Sequence, residues 1–187
     1  MPEKSATYLT VTGHRASTAE SSRTRWLEMA IQQHQSALIA YAMTIVNDFT
    51  TAQDVVQDTF LRLCGQPQNR VENHLRAWLF KVCRNRALDH LRREKDTDTL
   101  QHTQWKKIAG HGLQPDESAQ HNERLAAMMN ILRSLPENQR EVIILKFQQG
   151  LSYREISEIT GLKSGNIGFL IHSGLKHLRD LLPADQS

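Results

Sequence analysis

Residues 150–179 read GLSYREISEITGLKSGNIGFLIHSGLKHLR, and this stretch decides the fold class. Ser152 followed by Glu155 is a capping box: the serine hydroxyl accepts an orphan backbone N–H while the glutamate reaches back. The helix it opens carries Ile156 and Ile159 inward, and Ser157 is small enough to let a second helix approach closely. Gly161 supplies the left-handed conformation of a tight inter-helix turn. Leu162 plugs that turn, and Ser164 is placed to cap the next helix. Ile167, Leu170, Ile171, Leu175 and Leu178 then face inward. Small residue, glycine four on, isoleucine ten on and leucine thirteen on is helix-turn-helix spacing. In that motif the second helix enters the DNA major groove. An ordinary helical hairpin is the plain alternative, but cap, glycine and core spacing all agree on the motif. Asn166, Phe169, His172, Ser173 and Lys176 then point outward. Asparagine pairs bidentately with adenine and phenylalanine meets a thymine methyl, while Lys163 and Lys176 sit near phosphates.

Working outward, every other periodic segment is also helical. Leu125, Met128, Met129, Leu132 and Leu135 make one stripe. Pro136 opens a helix where its missing N–H does no harm, and Val142, Ile143, Ile144, Leu145 and Phe147 supply that helix's core. Earlier, Leu27, Ile31, Leu38, Tyr41 and Ile45 recur at helical spacings. Asn47–Thr51 breaks that helix, and Ala52, Val55, Val56, Phe60 and Leu63 define the next. Gly65–Asn73 reads as a loop. A third helix follows with Leu75, Trp78, Leu79, Val82 and Leu91 inward and its arginines outward. No stretch alternates like a strand. The expectation is an all-α chain of two small helical domains: a flexible tail over 1–24, a domain over 25–95, a flexible linker over 96–120, and a helix-turn-helix domain over 121–187.

Composition agrees. The chain has 187 residues, of which 39% are hydrophobic, and this is too few for one large buried core. No apolar run approaches a membrane span and residues 1–25 lack the apolar centre of a signal peptide, so a soluble cytoplasmic protein without membrane insertion is expected. Two cysteines, Cys64 and Cys83, exclude a disulfide scaffold and read as small buried hydrophobes. The net charge of +3 hides opposed segments. From Trp26 to Leu63, Glu28, Asp48, Asp54 and Asp58 face Arg62 alone. From His74 to Lys95, Arg76, Lys81, Arg84, Arg86, Arg92, Arg93 and Lys95 face only Asp89 and Glu94. Asp96, Asp98, Asp116 and Glu117 in the connector outnumber Lys106 and Lys107. So much positive charge in one helix points to nucleic acid. His102, His111 and His121 have no metal-ligand spacing, so neither metal nor cofactor is expected.

Four segments carry a family resemblance: AQDVVQDTFLRL (52–63), HLRAWLFKVCRNRALDHLRR (74–93), LPENQREV (135–142) and GLSYREIS (150–157). Together they resemble the bacterial RNA polymerase sigma factors of the extracytoplasmic-function (ECF) group of the sigma-70 family, over roughly residues 26–95 and 121–182. The resemblance implies a non-catalytic subunit that binds core RNA polymerase through its clamp and flap, recognises −10 and −35 promoter elements and starts transcription. It implies promoter DNA and an anti-sigma factor as further partners. Asp54, Gln57 and Asp58 fall where the family contacts the polymerase clamp, and an acidic face at helical spacing suits a basic partner. Arg84, Arg92, Arg93 and Lys95 fall where it holds −10 phosphates. Asn69, Arg70 and Asn73 fall where it captures an extruded base. Lys163, Ser164, Asn166, Phe169, His172, Ser173 and Lys176 make up the −35 set. Trp78, in phase with Leu75 and Val82, belongs to the core, and Asn85 and Asp89 support the helix.

One departure stands out: Gly168, Phe169 and Ser173 occupy outward positions where family members often carry a cation. Phosphate attraction there is expected to be weak. The alternative to a sigma factor is a free-standing helix-turn-helix regulator acting on duplex DNA without polymerase, which has no need of the Trp26–Lys95 module. An enzyme has no support at motif level.

Overall fold

The computed structural model describes residues 11–98, 132 and 134–181. Helix α1 (Val11–Val46) is followed by α2 (Phe49–Cys64), the short α3 (Gln68–Val71), a 3₁₀ turn at Glu72–His74 and α4 (Leu75–Asp98). After the connector come α5 (Glu137–Ile143), a π turn (Ile144–Gln148), α6 (Tyr153–Thr160) and α7 (Ser164–Leu181). No strand occurs among the described residues. The connector itself, with the stripe from Leu125 to Met129 and His102, His111 and His121, lies outside the described residues.

Helices α1, α2 and α4 pack on one another as the first module. The break between α1 and α2 takes only two residues. Asn47 adopts φ 55°, which asparagine tolerates better than most residues, and Asp48 caps α2 by accepting the Thr51 N–H at 2.7 Å. That bond holds the Asp48 carboxyl below its ordinary range. Helix α2 buries Ala52, Val55, Val56, Thr59, Phe60 and Leu63, a single stripe at three- and four-residue steps.

Three expectations about this module change. Residues 11–24, read as tail, belong to α1. Arg23 shows what ties them down: its guanidinium donates to the carbonyls of Cys64 at 2.6 Å and Gln66 at 3.0 Å. A cation there satisfies carbonyls that the end of α2 leaves without helical partners. In α4 the fully buried set is Leu79, Phe80, Cys83 and Ala87, with Ala77 close to it, while Leu75 and Trp78 pack half-buried against the core and Val82 and Leu91 are only half-buried. The stripe is rotated because α4 is covered by α1 and α2 and again by α6. Burial pushes the Cys83 thiol up to about 12, whereas Cys64, at the end of α2, is exposed, contrary to its reading as buried.

The second module is built on α5, α6 and α7. Val142, Ile143, Ile144 and Leu145 are all buried. Phe147, expected in the core, is 60% exposed; two positions past Leu145, it points to the other side of the turn. Leu175 is likewise at the surface rather than inside. Its neighbour Gly174 faces inward instead, because a Cβ there would lie 2.6 Å from Ile143 Cδ1 and 3.3 Å from Gln139 Cβ. That glycine lets α7 approach α5.

Candidate nucleic-acid and polymerase interface

The helix-turn-helix has the expected local chemistry. Ser152 Oγ accepts from the Glu155 N–H at 3.2 Å and the Glu155 carboxylate accepts from the Ser152 N–H at 2.8 Å. Gly161 sits at φ 77° and donates to the Ser157 carbonyl at 2.9 Å. Ser157 donates its hydroxyl to the Leu162 carbonyl at 2.6 Å, pinning the turn. Ser164 is the first residue of α7 rather than its cap, since the Lys163 carbonyl already accepts the Ile167 N–H. The Ser152 hydroxyl holds the Glu155 carboxyl below its usual range. Because the folded-state pKa is depressed, the capping box contributes stability above the ordinary carboxyl pKa and loses it as pH falls through the depressed value. Ser152→Ala is expected to cost about 1 kcal/mol at pH 7 and to shrink the loss of stability between pH ~5 and ~3. Chemical denaturation across that range checks both.

On α7, Asn166, Phe169, His172 and Lys176 are exposed, and Ser173 is half-buried with its hydroxyl donating to the Leu170 carbonyl at 3.2 Å. Asn166, Phe169, Ser173 and Lys176 share one face, with Phe169 66% exposed. Lys163 and Ser164 are exposed at the start of that helix.

The acidic face of α2 is also as its spacing implies. Asp54 and Gln57 are exposed and line a groove between α2 and α4. Asp58 lines it too, but Arg86 of α4 reaches across to it at 2.6 Å. Arg86 and Arg92 approach Asp89 at 3.8 and 3.6 Å, so Asp89 serves the helix as expected. Leu61, 62% exposed, continues the row of Asp54, Gln57 and Asp58. It was absent from the sequence-derived set, although its position seven residues after Asp54 signals the same face.

The residues expected at the −10 strand divide. Asn69 and Arg70 on α3, and Asn73 on the 3₁₀ turn, are exposed, as are Arg92, Arg93 and Lys95 near the end of α4. Gly65–Asn73 is therefore mostly short helix rather than open loop. Arg84 is set apart from them. Its guanidinium forms a bidentate pair with Glu141 of α5, Nε to Oε1 at 2.7 Å and Nη2 to Oε2 at 3.1 Å. Tyr41 of α1 donates its hydroxyl to the same Oε1 at 2.7 Å. Neither Tyr41 nor Glu141 was singled out for such a role. Among the described residues no helix is long and apolar enough to cross a membrane.

Comparison with known proteins places these surfaces in a family. Residues 30–97 match Sigma-70 region 2, and residues 125–178 match Sigma-70, region 4. The ECF RNA polymerase sigma factor SigE of Mycolicibacterium smegmatis is 30% identical over 164 residues, covering 87% of this chain. The chain spans 63% of that relative's length. SigL of Mycobacterium tuberculosis is 28% identical over 88% of this chain and 93% of its own. Among solved structures, the sigma factor RpoE bound to the anti-sigma factor NepR from Bartonella quintana superposes with a TM-score of 0.65 at 27% identity, over 85% of this chain and 98% of that one. CnrH, solved with the cytosolic domain of CnrY, gives 0.62 at 26% identity, over 91% and 96%. Both modules match in the order in which the chain carries them, which a lone helix-turn-helix regulator does not explain. The chain belongs to the sigma-70 family, with a region 2 module followed by a region 4 module, and is similar to the ECF sigma factors of that family.

Proposed function

We propose that the chain is a dissociable promoter-specificity subunit of RNA polymerase that acts in the cytoplasm and catalyses no reaction itself. Residues 25–95 bind core enzyme and hold the opened −10 strand, and residues 121–187 read the −35 element. The observation that carries this reading is the union, in one chain and in this order, of a region 2 match and a region 4 match. Asp54, Gln57 and Asp58 offer the clamp an acidic face, with Leu61 as an apolar anchor at its end. Asn69, Arg70 and Asn73 take the extruded base, and Arg92, Arg93 and Lys95 follow the backbone with charge. On α7 the base-facing set is Asn166, Phe169, His172, Ser173 and Lys176, flanked by Lys163 and Ser164. With so few cations on that face, −35 contact depends on polymerase holding the module in place. The Bartonella relative was solved with an anti-sigma factor, and a partner of that kind is proposed here too.

Run-off transcription with purified core polymerase, on templates recovered upstream of transcripts induced by overproducing the chain, tests the reading. Promoter-dependent product that vanishes without the chain is expected. No product together with no co-purification with core overturns it, and footprinting of duplex DNA without core would then favour a free-standing regulator.

A further inference from the structure

The two modules meet through a polar contact that sequence periodicity does not foresee. The Glu141 carboxylate, on α5, accepts three hydrogen bonds from the first module: two from the Arg84 guanidinium and one from the Tyr41 hydroxyl. The side chains of Arg84 and Glu141 are 20% and 13% exposed, and Tyr41 is fully buried. Burial, and then the Glu141 charge, push the Tyr41 hydroxyl well above its ordinary range, so it remains a donor. About two turns earlier along α4, Arg76 shares a groove with Arg154, Glu155 and Glu158 of α6. A guanidinium fork plus a hydroxyl, converging on one anionic group, is the chemistry that binds a carboxylate or a phosphodiester equally well.

We propose that Tyr41 and Arg84 form an oxyanion seat on the first module, that Glu141 fills it in the closed chain, and that a backbone phosphate of the opened promoter strand takes the seat when the modules part. The inference rests on the function proposed above for the −10 strand. It makes Glu141 an internal competitor of DNA: while the carboxylate is seated, Arg84 is unavailable, and α6 packs on α4 as well. Partly buried ion pairs add little net stability but define one arrangement, and removing one partner is costly to that arrangement. A binding-competent state that is only fractionally populated weakens apparent affinity by that fraction. Loosening the latch therefore strengthens DNA binding without adding a DNA contact.

The test uses the full chain with two readouts: the radius of gyration in solution by small-angle X-ray scattering, and anisotropy of a fluorescent single-stranded −10 oligonucleotide. Glu141→Lys sets like charges against each other at the seat. It is expected to enlarge the radius of gyration and tighten oligonucleotide binding about tenfold or more. Tyr41→Phe, which deletes one donor, should move both readouts the same way by a smaller factor. Arg84→Ala added to Glu141→Lys should cancel the gain in DNA binding while leaving the chain open. Arg84→Glu with Glu141→Lys should restore compaction without restoring DNA affinity. A compact Glu141→Lys chain, or an opened one with unchanged oligonucleotide affinity, overturns the proposal; if Glu141→Lys does not fold, Tyr41→Phe decides by the same criteria. Run-off transcription by the unmodified chain separates the two ideas, since its success with an unresponsive Glu141→Lys chain sinks the latch alone.

Discussion

Phe80→Ala is expected to destabilise the first module by about 3–5 kcal/mol, the largest stability effect of any single substitution considered for this chain. Phe80 is fully buried in α4, and its ring lies 5.2 Å from that of Tyr41 at 56°. Tilted aromatic pairs of this kind add to simple area burial. The void would open in the core cluster that also holds Leu38, Leu79 and Cys83, all of them fully buried. It would also leave Tyr41 less constrained, so its hydroxyl would lose its fixed aim at Glu141. Urea denaturation followed by circular dichroism should show the midpoint fall sharply, with the helix-turn-helix module retaining helical signal after the first module melts. Trp78→Ala makes the contrast, because Trp78 is only half-buried against the same core. A smaller loss for Phe80→Ala than for Trp78→Ala would show that the buried face of α4 has been assigned wrongly.

That comparison also marks what periodicity reveals. The stripe containing Leu75, Trp78, Leu79 and Val82 reads as the inward face of α4, yet of these only Leu79 is fully enclosed, together with Phe80, Cys83 and Ala87. A helix covered by neighbours on two sides has a broad buried arc, and spacing alone cannot decide where its centre lies. Phe147 fails for a related reason: four consecutive buried residues, Val142 to Leu145, leave no clean period to extend. The helix-turn-helix is legible because its determinants are local. Ser152 and Glu155 are three residues apart, and Gly161 must take a left-handed φ whatever surrounds it. The acidic face of α2 is legible for the same reason. Arg84 and Glu141 are 57 residues apart, and Tyr41 and Glu141 are 100 apart. Their meeting depends on how two modules pack, which no local pattern encodes. Arg23 is invisible in the same way. Its partners are the carbonyls of Cys64 and Gln66, and a backbone carbonyl leaves no signature in sequence.

The largest functional effect is expected from Asp54→Arg. The three polar residues assigned to the polymerase-binding face are not equivalent. Asp58 already faces Arg86 at 2.6 Å, and its side chain is 42% exposed, so part of its charge is matched within the module. Gln57 carries no charge. Asp54 is exposed on the same face, and no salt bridge to it is found among the described residues. It is therefore the charge most available to a basic partner. Reversing it sets like charges against each other across an interface, a change that costs several kcal/mol where the groups are close. Core-polymerase affinity should fall about a hundredfold, with most of the change in association rate at low salt. Because charge contacts at an interface rim are screened, the gap between Asp54→Arg and the parent chain should narrow as salt rises. Asp58→Arg should do something different: it removes the tie to Arg86 and repels it, so part of its effect will appear as lost stability of the α2–α4 contact. Surface plasmon resonance against immobilised core enzyme, at two salt concentrations, reads the first effect, and thermal melting reads the second. If Asp54→Arg binds core as tightly as the parent at low salt, the acidic face of α2 is a solvated surface and the clamp contact lies elsewhere, with exposed Leu61 and Phe49 as the next surface to alter.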